Sequence, residues 1–432
     1  MTLNHLASFR ADVTPPLGHP LCAGWYDHAL AISDPLHALG IVLFGDEAPL
    51  VLCALDWAEM SNLSHLAWRE RLATAAGTTA DRVVVQCVHP HCTPWPDEEA
   101  DRLVRAFPDL PRVMDPVWCA GTLERVAAAV AEAARRPRRL THLGLGQAKV
   151  EKVASNRRVM GPDGRVKAVR WTQTRDPSVR AEPEGLIDPW LKTISFWDDA
   201  EKIAALHYYA VHPTSYDHDP IVTPDFTGLA RDRRAAEEPG VLHAYFTGCA
   251  GNITAGKYND GARENRTVFT ERIHRAMVES ERDAPRLPVA RAEWRVANVI
   301  LPPREDETME QLLTRLGNAS CLPRLRTQAA LQIAYRRRME RPIPITALSF
   351  GEEAHLVHLP GESFIEYQIF AQQLRPKAWV AVASYGDCGP GYICMENSGA
   401  EGGYEPVDSF VAGRSEAILK NALRTVLDAN RG

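Results

Sequence analysis

Four short islands, far apart along the chain, each end an apolar run with a side chain able to hold a metal. They are Val88-His89-Pro90-His91, Ala210-Val211-His212-Pro213-Thr214-Ser215, Leu359-Pro360-Gly361-Glu362 and Gly389-Pro390-Gly391-Tyr392. Two imidazoles and a carboxylate make the ligand set of a hydrolytic zinc site, in which one position stays open to water. A phenol could complete the set. Residues i and i+2 of an extended segment point the same way, so His89 and His91 can face one pocket, one as ligand and the other as acid or base. Pro213 fixes the chain direction just after His212. Glu362 follows Pro360-Gly361 at an expected helix start, where an ordinary first-turn glutamate would also suit the helix dipole. Tyr392 and Tyr404 lie in a glycine-rich tract that is poor core material and has the character of a site loop.

These side chains need strand ends to carry them. Residues 41–56 read as two apolar strands around a Gly-Asp turn, a helix is expected over 63–76 with Ser61 or Asn62 as its cap, and 82–88 is a β-branched run ending at the His-Pro-His turn. The order strand, helix, strand indicates an α/β unit in which Asp56 and His89 emerge at strand ends, where α/β sites are usually built. Asp56 is a candidate to orient a ligand histidine. Further helices are expected over 116–134, 267–281, 324–340, from Ser363, and over 415–429, with strands near 140–150, 192–197, 203–211, 241–246, 345–350, 355–359 and 379–384. Residues 160–188, rich in Gly, Pro, Arg and Asp, read as a long surface loop or lid. The run Arg336-Arg337-Arg338 reads as a solvated helix face. No internal repeat or low-complexity linker is visible. The expectation is one large α/β domain over 1–432, a mixed β-sheet core flanked by helices, with a possible helical insertion at 304–342.

With 432 residues and 45% hydrophobic content, the chain can bury a substantial core. A formal net charge of −6 and a pI near 6.2 offer no basic surface for a polyanion, so no nucleic-acid partner is expected. Nine scattered cysteines without a C-x-x-C pair match the usage of a reducing compartment. No secretory signal and no run of about 18 apolar residues is present, so a cytoplasmic protein without a membrane anchor is expected.

In their order and spacing, the islands resemble the catalytic domain of the neutral/alkaline (non-lysosomal) ceramidases, a zinc amidase family. Arg10-Ala11-Asp12-Val13-Thr14-Pro15 is similar to that family's N-terminal Ala-Asp-Ile/Val-Thr signature, His89-Pro90-His91 to its Thr-His-Thr-His segment, and His212-Pro213-Thr214-Ser215 to its His-x-Thr-Ser segment. Pro360-Gly361-Glu362 matches its Pro-Gly-Glu, Gly391-Tyr392-Ile393 its tyrosine-ligand segment, and Tyr404 a second family tyrosine. The resemblance implies that His89, His212, Glu362 and Tyr392 hold zinc and that His91 lies beside the water on the ion. It further implies that Asn156-Arg157, similar to the family's Asn-Arg-Ser, supplies an arginine for the scissile carbonyl, with Tyr404 as a second donor to that oxygen.

Where the family has Gly-Asp-Val-Ser-Pro-Asn, this chain has Gly251-Asn252-Ile253-Thr254-Ala255-Gly256. Asn156, Asn252 and Thr254 are therefore candidate substrate-binding residues, with the last two set for a substrate unlike ceramide. The family's β-rich C-terminal domain is expected to be missing. A cytoplasmic protein with no amphipathic anchor has little means of extracting a membrane lipid, so the expected partner is a small soluble N-acyl metabolite whose C–N amide bond is hydrolysed by water activated on Zn2+. Two alternatives stay open. One is a zinc-dependent lyase or isomerase acting on a polyol or sugar-like substrate, and the other a non-catalytic zinc-binding protein.

Overall fold

Strands of β-branched and aliphatic residues alternate with helices in an order that repeats three times. A computed structural model describes residues 1–289 and 291–428. Among these, twelve strands of five or more residues form three sheets. The first holds β1 (Leu3–Asp12), β2 (His37–Gly45), β3 (Leu50–Leu55) and β4 (Val83–Cys87). The second holds β5 (His142–Lys149), β6 (Trp190–Asp198), β7 (Glu201–Tyr209) and β8 (Leu242–Thr247). The third holds β9 (Ala292–Val299), β10 (Ile343–Phe350), β11 (Ala354–His358) and β12 (Trp379–Ala383).

In each sheet the four strands lie in chain order, the first three antiparallel and the fourth parallel to the third. A parallel neighbour needs a crossover, which a helix supplies each time: α1 (Asn62–Ala76) before β4, α3 (Asp225–Glu237) before β8, and α7 (Ile365–Leu374) before β12. A second helix then follows the fourth strand and packs back on the first: α2 (Pro116–Ala134) on β1, α4 (Glu264–Arg282) on β5, α8 (Ser415–Val426) on β9. The chain is thus three βββαβα units. Strands β3 and β4 are buried along their whole length, as expected of strands covered on both faces. Strand β8 touches β2, β3 and β4, while β7 touches β12. The three units therefore share one core, and the loops after their third and fourth strands meet.

The expected α/β architecture is observed, with several differences. Segment 160–188 is not bare loop: Arg158–Met160 pairs with Val166–Val169, and Pro177–Ala181 is a short helix. The fully buried Arg170 guanidinium fastens this segment by donating to the carbonyls of Asn156, Val179, Glu182 and Pro183. The helical stretch at 304–342 is a pair, α5 (Met309–Gly317) and α6 (Pro323–Arg337), inserted between β9 and β10, with a Thr308/Gln311 capping box opening α5. Of the run expected to be a solvated face, only Arg337 is exposed. Arg338 is buried against Asp387 at 2.7 Å, and Arg336 donates to the carbonyls of Arg304 and Glu307. Ser61 sits at the start of α1, but its hydroxyl accepts from the Trp95 indole instead of capping the helix. The final helix ends at Val426; residue 429 lies outside the described residues. No helix among the described residues is long and apolar enough to cross a membrane.

Candidate metal centre

The site gathers where the loops after the third and fourth strands meet. His89, two residues past β4, adopts φ +75°, a left-handed conformation that costs a non-glycine residue about 1–3 kcal/mol. Its backbone N–H donates to Trp57 O at 2.9 Å, and its Nδ1 lies 2.8 Å from Ala58 O. His212 follows β7 and sets its Nδ1 2.8 Å from Ala250 O. Glu362 follows β11 and lies in a two-residue parallel pairing with Tyr392, which fixes the carboxylate beside the phenol. Glycines permit this approach. Gly361 has φ +56°, and a side chain there would meet Gly391 O at 2.7 Å; one at Gly251 would meet Glu362 O at 2.3 Å.

The proton positions follow from these partners. A carbonyl only accepts, so Nδ1 of His89 and of His212 carries the proton and each Nε2 presents a lone pair. Yet the two Nε2 atoms face one another at 3.0 Å, and Glu362 Oε2 lies 3.1 Å from the His212 nitrogen and 3.4 Å from that of His89. That oxygen is buried and has no hydrogen-bond partner. Three acceptors converging without a donor repel one another unless a positive species sits among them. Ligands about 2.0–2.1 Å from a zinc ion in tetrahedral array stand roughly 3.3 Å apart, close to these separations. The residues therefore fit a divalent cation, and anchoring the second ring nitrogen on a carbonyl is how such ligands are commonly oriented.

His91 differs from the other two imidazoles. Its Nε2 lies 3.2 Å from His89 Nε2, within the same ligand-type cluster, but its Nδ1 faces the Tyr26 hydroxyl at 3.0 Å, and that hydroxyl donates to Asp217. Opposite the acceptors, Arg157 donates to the Tyr392 hydroxyl at 3.1 Å, and this lies 3.1 Å from the Tyr404 hydroxyl. The Tyr404 ring stacks on Trp171 with centroids 4.8 Å apart. Together these side chains line a cavity of about 150 Å³ whose further walls include Trp25, Trp95 and Phe410. Burial drives the histidines towards the neutral form: His89, His91 and His212 are all held well below the usual imidazole value. Burial likewise raises Glu362, opposed by His89 and Arg157. For Arg157 burial works against the charge, but Tyr392, Glu405 and Glu362 outweigh it and raise the pKa.

His89, His91, Glu362, Tyr392, Arg157 and Tyr404, singled out in the sequence, thus line one cavity, and His212 adjoins it with its Nε2 3.0 Å from that of His89. Asn156, Asn252 and Thr254 are not among the residues lining it. Asn156 bonds the Leu186 carbonyl and the Arg158 N–H, Asn252 holds Glu366 and the Ile365 N–H at the start of α7, and Thr254 is buried in a short antiparallel pairing with Ser155. Asp56 does not orient His89. It pairs with Arg231 at 2.6 Å and accepts from the His37 N–H, because the Ala58 carbonyl already occupies the His89 Nδ1. Unforeseen members of the site are Tyr26, Asp217, Glu59 and Tyr385. The Tyr385 ring stacks on His89 with centroids 4.3 Å apart, and its hydroxyl lies 3.4 Å from His212 Nδ1. Glu59 lies four residues past the end of β3, as Glu362 does past β11, and that equivalence of place is the signal that would have found it.

No protein-family model matches the sequence, and no curated protein matches it. Solved structures do. A neutral ceramidase from Pseudomonas aeruginosa is similar over all of this chain and 75% of its own, with a TM-score of 0.72 at 16% identity. A ceramidase complexed with C2 is similar over all of this chain and 76% of its own, with a TM-score of 0.73 at 15% identity. The chain has the fold of the neutral ceramidases.

Proposed function

We propose that the protein is a metal-dependent hydrolase that cleaves a C–N amide bond in a compact, soluble N-acyl compound, with residues 1–432 acting as one catalytic unit. The observation that carries this reading is the meeting of three acceptors, His89 Nε2, His212 Nε2 and Glu362 Oε2, near the Tyr392 hydroxyl, which accepts from Arg157 and adjoins the Tyr404 hydroxyl. His89, His212, Glu362 and Tyr392 would hold Zn2+, which when bound supplies a Lewis acid and acidifies a water towards neutrality. Likeness of fold to amide-cleaving ceramidases supports the class of bond.

The chain's own residues do the rest. Arg157 and Tyr404 donate to the carbonyl oxygen as negative charge develops on it, a contribution of about 3 kcal/mol for each such donor. His91, neutral and facing the cavity, takes the proton released by water and returns it to the departing amine nitrogen. Tyr26 holds the far nitrogen of that ring. The walls from Trp25, Trp95, Trp171 and Phe410 exclude bulk water and strengthen these polar contacts. The cavity volume favours a small acyl group over the two long chains of a ceramide. Asn156, Asn252 and Thr254 support the strand and loops that carry Arg157 and Glu362.

The test is a panel of N-acyl amines and N-acyl amino acids offered to zinc-loaded protein, with free amine and carboxylate both quantified. Equimolar release of the two is expected. A changed carbon skeleton without amine release would replace hydrolysis with elimination or isomerisation. A folded chain that takes up no metal after reconstitution would end the reading.

A further inference from the structure

The threefold repeat puts a chemically loaded side chain at one equivalent place in every unit. The loop after the third strand carries His212 in the second unit and Glu362 in the third; in the first unit the same loop carries Glu59. Glu59 is 1% exposed and lines the cavity. One of its oxygens lies 3.8 Å from His89 Nδ1, whose proton Ala58 already takes. Its other oxygen is buried with no partner. Ligand atoms of Glu59, His89 and Glu362 lie within 4.8 Å of one another. Among the described residues no lysine or arginine pairs with Glu59.

Two adjoining buried carboxylates without a cation are costly, whereas one divalent ion balances both. We propose that Glu59 is a further member of the metal centre, a second carboxylate facing the ion held by His89, His212 and Glu362. This rests on the reading of the site as a metal centre and extends it. Two carboxylates, a phenol and two imidazole nitrogens offer five donors, three of them oxygen. Such a set accommodates a harder, six-coordinate ion such as Mn2+ alongside tetrahedral zinc. Glu59 thereby widens the choice of metal beyond what four ligands would allow.

The experiment strips the full chain with chelator and titrates the native protein and Glu59→Gln with ZnCl2 and with MnCl2, following heat of binding, metal content and thermal melting. Glutamine keeps the shape and removes the charge. The variant is expected to lose about tenfold or more in Mn2+ affinity, and less in Zn2+ affinity. Its metal-free form should melt no lower than native, because glutamine keeps the shape of the side chain. Should the glutamine chain not fold, Glu59→Asp keeps the charge, withdraws it by one methylene, and should show the same loss of affinity. Unchanged affinity for both ions would overturn the proposal while leaving the metal centre standing. A variant that loses affinity and also melts lower without metal would assign Glu59 to packing, and overturn it too. A native chain that binds neither ion would fail the broader reading, a distinguishable result.

Discussion

Two clusters of buried histidine and glutamate sit on or just beyond the same strand, and only one has the makings of a metal centre. His207, within β7, is hydrogen-bonded to His243 at 3.0 Å, and His243 to Glu238 at 3.0 Å; with Glu281 these histidines also bring ligand-type atoms within 4.8 Å. His212 lies three residues beyond the strand, in the other cluster. Around His207 every charge is already met. Lys202 lies 2.6 Å from Glu238 and 2.7 Å from Glu281, and Arg234 is 2.6 Å and 3.0 Å from the same two carboxylates. The far nitrogen of His207 bonds the Thr193 hydroxyl. Around His212 acceptors face acceptors. Residue type and proximity are the same in both places, and the supply of counter-charge by the chain itself is what separates them.

The sharpest way to break this contrast is to remove ligands from the unbalanced cluster. His89→Ala and Glu362→Ala should each reduce bound zinc from about one per chain to near none, and amide hydrolysis by about a thousandfold or more, with metal read by elemental analysis of folded protein. Full zinc retention in both variants would put the ion elsewhere. In the balanced cluster, Lys202→Met should leave zinc content untouched but cost about 1–3 kcal/mol of stability, since among the described residues it leaves Arg234 as the only cation between two carboxylates. Urea denaturation of the metal-free chain measures it. A loss below about 1 kcal/mol would mean that Arg234 alone balances both acids.

Tyr404→Phe tests the donor side without touching charge. The expected loss is about a hundredfold in kcat, or roughly 2.7 kcal/mol of transition-state stabilisation, with zinc content and KM little changed. A rise in KM at constant kcat would make the hydroxyl a ground-state binding group instead.

Strand and helix positions were readable because apolar runs bounded by Gly, Pro and Asn impose them, and the ligand islands were readable because each sits at such a boundary. Helix α2 runs over the span its alanine-rich pattern indicates. The repeat was not readable. It lives in the order and direction of strand pairing, which joins residues some tens of positions apart, and the equivalent loops carry Glu59, His212 and Glu362 with unlike neighbours. Strand β1 was missed because its inward residues, Leu3, Leu6, Ala7 and Phe9, do not alternate cleanly, and helix α3 because it is mostly polar. The burial of Arg170 and Arg338 escaped for a related reason: sequence gives a charge, while its partners, four carbonyls or one distant aspartate, appear only in the fold.

The smallest expected effect concerns protons in the balanced cluster. Burial pushes the Glu238 carboxyl up, but His243, Lys202 and Arg234 outweigh it and hold the pKa well below the ordinary 4.5. In the unfolded chain Glu238 takes its proton near 4.5, so below that pH the unfolded state binds more protons than the folded one, and stability must fall as pH falls. Above that range the contribution is fully present and flat. Denaturation of the metal-free chain should therefore show stability that is level near neutral pH and declines through the acid side of 4.5. Glu238→Gln should be less stable near neutral pH and decline less steeply in acid. Working without metal matters, because protonation of the other cluster would release the ion and add its own slope. An acid slope unchanged by Glu238→Gln would mean that other groups carry the pH dependence and that the cations around His207 do not hold this carboxylate in its charged form.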